Sequence, residues 1–183
     1  MNLLAISGSL REASSNTAIL RAMASFAPPH FHFQIWYGLG NLPAFSPDQD
    51  FDASPESVTE YRQLLKQSDG VIICTPEYAF GMPGVLKNAL DWAVSSGEFD
   101  KKPLCTISAS PSPLGGEKAH ESLSLTLKAL GTQQPEDLKL CIPAIKGKLN
   151  VAGEVDDPEL LEKLQNLLNA FIHFIEQQPA PEV

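Results

Sequence analysis

The sequence predicts an α/β fold, a five-stranded parallel sheet in the doubly wound order 2-1-3-4-5 with helices on both faces. Three observations carry that expectation. Five short apolar runs alternate with five longer stretches of helical periodicity, the pattern of strands joined by crossover helices. Several of the helical stretches have marked ends. The loops after the first, third and fourth strands are rich in Ser, Gly, Pro and aromatic residues, which suits the carboxyl edge where open sheets bind ligands.

The strands fall at residues 2–7, 31–37, 71–75, 103–109 and 138–142. The first has no basic flank and only a short apolar run, so it reads as a strand and not as a secretion signal. The second helix opens at Ser54-Pro55-Glu56, a capping hydroxyl before a proline at the first helical position, and then repeats Val58, Tyr61 and Leu65 on one face. Asp157-Pro158-Glu159 uses the same device ahead of a broad apolar stripe that runs from Leu160 to Ile175. Gly131 is placed to end the helix carrying Leu123, Leu127 and Leu130. Pro28-Pro29 and residues 41–55 read as surface loops, and residues 177–183 as a frayed tail. At 183 residues the chain is expected to form one domain, 1–183.

Composition narrows the function classes. A formal net charge of −9 disfavours nucleic acid and anionic membranes as partners, because phosphate backbones need clustered Lys and Arg. No apolar run reaches bilayer length, which predicts a soluble protein. Cys74, Cys105 and Cys141 are odd in number and widely spaced. They read as buried reduced thiols and point to a cytoplasmic address, not to a metal site or a disulfide framework. His30, His32, His120 and His173 form no metal or triad spacing and read as surface or helix residues, with His120 alone near a candidate site.

Three loops carry the chemistry. The first, residues 7–17, combines Ser9, Ser14, Asn16 and Thr17 with Arg11 ahead of a helix, and all can donate toward one dianionic phosphate. An ordinary capping loop would use the same Ser and Asn. The loop lacks the Gly-Lys-Ser/Thr ending of a P-loop, the spaced glycines of a dinucleotide fingerprint and the cysteine of a thiol phosphatase. The second loop, Pro76-Glu77-Tyr78-Ala79-Phe80-Gly81-Met82-Pro83-Gly84, offers aromatic faces and main-chain groups to a heterocycle, although the same rings could cap the core. Glu77 is read as a solvated or helix-capping carboxylate, not as an acid or base. In the third, Ala109 and Ser110 precede Gly115-Gly116, where backbone can approach a ligand closely. In the order 2-1-3-4-5 these loops converge on one crevice. A phosphate at the first and a flat ring between the second and third describe a mononucleotide.

On these residues the chain resembles the NAD(P)H-dependent FMN reductase family, the flavodoxin-like group that includes quinone, azo-dye and chromate reductases. Gly8-Ser9-Leu10-Arg11 with Ser14 and Asn16 is similar to that family's phosphate loop. Residues 76–78 with Pro83-Gly84, Leu86-Lys87-Asn88-Ala89 and Asp91-Trp92 are similar to its flavin-ring loop, and residues 153–157 to its late turn. The resemblance implies a flavodoxin-like three-layer sandwich. It puts the FMN phosphate on Ser9, Arg11, Ser14, Asn16 and Thr17. It puts the isoalloxazine against Pro76, Glu77, Tyr78, Ala79 and Phe80, with Ala109 and Ser110 on the other side. The chain departs from the family at Ala79, where asparagine is common, at Gly81-Met82, and at Ser112.

The activity implied is hydride transfer from NADPH or NADH to bound FMN, then reduction of a quinone, flavin, azo compound or similar small acceptor, in a ping-pong scheme. No side chain is needed as nucleophile or metal ligand. A homodimer or homotetramer is also implied. Two other readings stand beside it: a non-catalytic flavodoxin-like electron carrier, whose acidic surface would dock a basic partner, and a family member that has lost FMN.

Overall fold

The computed structural model describes residues 1–50 and 54–178. Its strands are β1 (Asn2–Ser7), β2 (His32–Trp36), β3 (Gly70–Thr75), β4 (Leu104–Ala109) and β5 (Lys139–Ile142). They pair in parallel in the order β2-β1-β3-β4-β5. The helices are α1 (Ser15–Phe26), α2 (Glu56–Gln67), α3 (Gly84–Asp91), α4 (Glu117–Ala129) and α5 (Pro158–Glu176), the first four being crossovers. Predicted order and strand positions are therefore both found.

Because strand side chains alternate between faces, the buried central strands divide their apolar residues between two cores. Leu3, Ala5, Ile72, Cys74, Cys105 and Ile107 pack under α1 and α5. Leu4, Ile6, Val71, Ile73 and Leu104 pack under α2, α3 and α4. The second face becomes polar toward β5, where Thr106 pairs with Lys139 and Ser108 with Cys141. This edge corrects the cysteine expectation: Cys74 and Cys105 are buried, but Cys141 is exposed, because it faces the sheet side that α4 leaves partly uncovered.

Two of the predicted helix ends are found as expected. Asp157 Oδ1 accepts from Leu160 N at 2.8 Å, and Pro158 occupies the first turn. After α4, Gly131 adopts φ +76°, with Gly131 N bonded to Lys128 O and Thr132 N to Leu127 O, the paired closure that a left-handed glycine permits. Ser54 differs from expectation. Helix α2 has no side-chain cap, and the Ser54 hydroxyl instead accepts from Arg62 Nη1 at 3.1 Å. Arg62 also donates Nε and Nη2 to Trp92 O and pairs with Asp50 at 2.6 Å, so it ties the β2–α2 connection to the end of α3. Residues 51–53 of the expected 41–55 loop lie outside the described residues, as do residues 179–183 of the expected tail. The Gln177 and Gln178 amides bond back to His173 O and Ile175 O.

The second half of the ring-loop motif is spent on packing. Asn88 Nδ2 and Trp92 Nε1 both donate to Pro43 O at 2.9 Å, and Asn88 Oδ1 accepts from Phe45 N at 2.8 Å. Phe45 then meets the Trp92 ring edge-on at 5.0 Å. Asn88 of α3 and Trp92 at its end therefore hold residues 43–45 in place.

Candidate functional site

The three loops follow β1, β3 and β4, which are neighbours in the sheet, and glycines let them touch. Gly8 N donates to Cys74 O at 2.8 Å. A Cβ on Gly8 would lie 3.1 Å from Thr75 Oγ1 and 3.3 Å from Thr75 Cα, so the first loop rests directly on the base of the second.

In the first loop the serines serve the chain before they serve any ligand. Ser14 Oγ caps α1 by accepting from Thr17 N at 3.3 Å, and Ser9 Oγ accepts from Arg11 N at 3.3 Å. Among the described residues neither hydroxyl donates, so each keeps its O–H for an acceptor outside the chain. Thr17 Oγ1 donates to Ser7 Oγ at 3.0 Å. Asn16 is buried and its Oδ1 accepts from the Cys74 thiol at 3.3 Å, which leaves its amide nitrogen as the group to offer a ligand. Arg11 is exposed. Ser9, Arg11 and Thr17 line a common cavity of about 270 Å³ beside α1. Ser14 and Asn16 do not line this hollow, but the free O–H of Ser9, the Arg11 guanidinium and the first turn of α1 together suit a phosphate dianion.

The second loop contains a feature the sequence did not reveal. Tyr78 N and Gly81 O, and Gly81 N and Tyr78 O, bond reciprocally at 3.0 Å, closing a tight turn whose central residues Ala79 and Phe80 have φ +49° and +60°. That is the conformation of a type I′ turn, normally taken by Asn-Gly. Left-handed backbone costs a non-glycine residue roughly 1–2 kcal/mol, and asparagine tolerates it better. The turn throws Tyr78 and Phe80 outward, 51% and 81% exposed. Ala79→Asn is expected to raise stability by about 0.5–1 kcal/mol, read as a higher urea midpoint; a lower midpoint would contradict the strain argument.

Glu77 has a definite structural partner. Its Oε2 accepts from Ala119 N at 3.0 Å, in the first turn of α4, whose N-cap Gly116 offers no side chain. The carboxylate complements that helix end in both hydrogen bonding and charge, in keeping with its reading as a cap. The glycine pair serves packing as well. Gly115 and Gly116 have φ +64° and +82°, and a Cβ on Gly115 would stand 2.9 Å from Ile142 C and Pro143 N. The close approach expected toward a ligand is thus made, at Gly115, to the end of β5.

Ala109 is 2% exposed within the α1/α5 core, so only its main chain remains for the crevice. Ser110 is also buried. Its Oγ donates to Ser112 Oγ at 3.2 Å and accepts from Ser112 N at 3.1 Å, which gives the departure at Ser112 a role in shaping the loop. Pro76 is half-buried and accepts from Thr75 Oγ1 at 2.9 Å.

A larger cavity, about 810 Å³, lies away from the first loop between α4 and the β5 edge. At its floor His120 is buried, with Nε2 2.7 Å from Thr106 Oγ1 and Nδ1 3.2 Å from Cys141 Sγ. Burial, and then the charge of Lys139, lower its pKa from 6.5 to about 4. The expectation of a surface or helix residue is corrected in part: His120 is helical but belongs to an internal polar cluster. Its alternation partners on β4, two hydroxyl residues, were the only hint in the sequence. Among the described residues no helix is long and apolar enough to cross a membrane.

The NADH:(hydroxy)cinnamate reductase subunit CrdA of Vibrio ruber is 33% identical over 182 residues, covering 96% of this chain and 88% of that protein. A 2-hydroxy-1,4-benzoquinone reductase from a Burkholderia species is 30% identical, with 96% of each covered. Among solved structures, the flavoenzyme NAD(P)H:(acceptor) oxidoreductase FerB of Paracoccus denitrificans superposes with a TM-score of 0.81 at 29% identity, covering 96% of this chain and 97% of that one. The sheet order and these neighbours make the fold flavodoxin-like. With the profile described as NADPH-dependent FMN reductase matching residues 1–146, the chain belongs to the NADPH-dependent FMN reductase family, a family of flavin-dependent oxidoreductases.

Proposed function

We propose that this protein reduces small quinone-type acceptors with electrons from NADPH or NADH. The observation that carries the reading is the meeting of three loops at the ends of β1, β3 and β4 beside a hollow lined by Ser9, Arg11 and Thr17. Ser9, Arg11, Ser14, Asn16 and Thr17 hold the FMN phosphate. Pro76, Glu77, Tyr78, Ala79 and Phe80 line one side of the ring, and Ala109 and Ser110 the other. Bound FMN supplies the two-electron chemistry that links nicotinamide to acceptor.

The chain's own task is placement. Glu77 keeps the second loop fastened to α4, and the Tyr78–Gly81 turn keeps two aromatic rings at the rim. Neither requires a proton-transfer residue. Were bound FMN held with one face open, NAD(P)+ would have to leave before the acceptor entered, which would give ping-pong kinetics. We further propose one domain spanning 1–183, a homodimer or homotetramer, and a cytoplasmic address, the last supported by Cys74 and Cys105 remaining free thiols.

A panel of quinones, free FMN and azo dyes assayed with both nicotinamides tests the reading. Parallel double-reciprocal lines with a quinone are expected; protein that takes up no FMN, or flavin that neither nicotinamide reduces, would overturn it. Arg11→Ala is expected to weaken FMN binding by about 1.5–3 kcal/mol, the loss of one charge-assisted bond. Unchanged affinity in a fluorescence titration would remove Arg11 from the phosphate site.

A further inference from the structure

We infer that Arg21 is a second guanidinium on the flavin phosphate, an inference that rests on the reading of the first loop above. Arg21 lines the same cavity of about 270 Å³ as Ser9, Arg11 and Thr17, with Trp36 forming a wall. It stands four residues after Thr17 on α1 and hence on the same helix face. Helical side chains lean toward the N-terminus, so a long side chain at this position extends back toward the loop.

Its lack of partners is the informative part. The chain has 22 acidic against 13 basic residues, yet among the described residues neither Arg11 nor Arg21 makes an ion pair. Glu12 also borders the cavity and bonds to neither. Two guanidiniums at one hollow repel each other, and a dianionic group between them converts that repulsion into two attractions. The wall keeps its shape, because Trp36 is 7% exposed and stacks on Tyr61 at 4.7 Å. The ligand chemistry is therefore a phosphate monoester. We assign it to FMN, because the α1 N-terminus and the free hydroxyls of Ser9 and Ser14 open onto the same loop.

The test compares FMN with riboflavin, which lacks the phosphate, by fluorescence titration of the flavin-stripped full chain. Wild type is expected to prefer FMN strongly. Arg21→Ala is expected to lower FMN affinity about 10- to 100-fold, to leave riboflavin affinity unchanged, and to be partly rescued by Arg21→Lys. Among the described residues the side chain has no hydrogen-bond or ion-pair partner, so the urea midpoint of both variants is expected to match wild type. An FMN affinity within about twofold of wild type, or equal losses for both flavins, would overturn the assignment while leaving the reductase reading intact. So would an unchanged FMN preference accompanied by a raised KM for NADPH alone, which would hand the arginine to the nicotinamide's phosphate. A wild-type chain that binds neither flavin would overturn both.

Discussion

Trp92→Ala is expected to lower the unfolding free energy by about 3–5 kcal/mol, the range for truncating a fully buried large aromatic. Trp92 is 0% exposed, and its indole Nε1 donates to Pro43 O at 2.9 Å. Phe45 packs on its edge, and the Arg62 guanidinium lies 5.9 Å from the ring centroid. Trp92→Phe keeps most of the volume and loses only the N–H. Pro43 O still receives Asn88 Nδ2, so this variant is expected to lose only about 1 kcal/mol. Urea unfolding of both variants separates volume from hydrogen bonding; equal losses would show that the Pro43 bond dominates. Because residues 43–45 hang from this ring, the alanine variant is also expected to loosen that segment.

The second large effect is acid sensitivity at His120. In the unfolded chain the imidazole takes a proton near pH 6.5, whereas in the fold it does so only near pH 4. Between those values the unfolded state binds more protons, so stability falls as the pH drops through that window. Above pH 6.5 both states are neutral and the contribution is fully present. The shift corresponds to about 3 kcal/mol, a magnitude that burial at 6% exposure supports. His120→Gln removes the titration, so the difference in unfolding free energy between wild type and variant should change by about that amount between pH 7.5 and pH 4. Parallel pH profiles would show that carboxylates elsewhere govern acid unfolding.

Both effects lie outside the proposed flavin contacts, yet each bears on the site. Trp92 anchors residues 43–45 to the end of α3, the helix that follows the ring loop. His120 sits in α4, the helix whose first turn receives Glu77, so acid that loosens α4 also loosens the second loop. FMN retention is therefore expected to decline in the same pH window as stability.

The sequence by itself determined the sheet. Strand alternation and crossover helices are set by residues two to four positions apart, a range over which hydrophobic periodicity is visible. The Asp157 cap and the Gly131 closure were readable for the same reason, since each is completed within a few residues. The doubly wound order was the arrangement in which the loops of unusual composition after β1, β3 and β4 become neighbours, and the sheet has that order.

The tertiary structure decided which partners those residues found. Glu77 meets an amide 42 residues away and Trp92 a carbonyl 49 residues away, and neither pairing leaves a local periodicity. Ser54 looked like a helix cap because its neighbours suit one, but a distant arginine took its hydroxyl. Cys141 looked buried because its run is apolar, but its exposure depends on how far α4 covers the sheet edge. The left-handed backbone at Ala79 and Phe80 is imposed by reciprocal bonds between Tyr78 and Gly81, against the preference of both residues. Arg21 lay unnoticed within a helix until the fold placed it at the cavity of the phosphate loop. Local patterning specifies elements, whereas side-chain partners depend on distances in space, which only the packed sheet and its helices set.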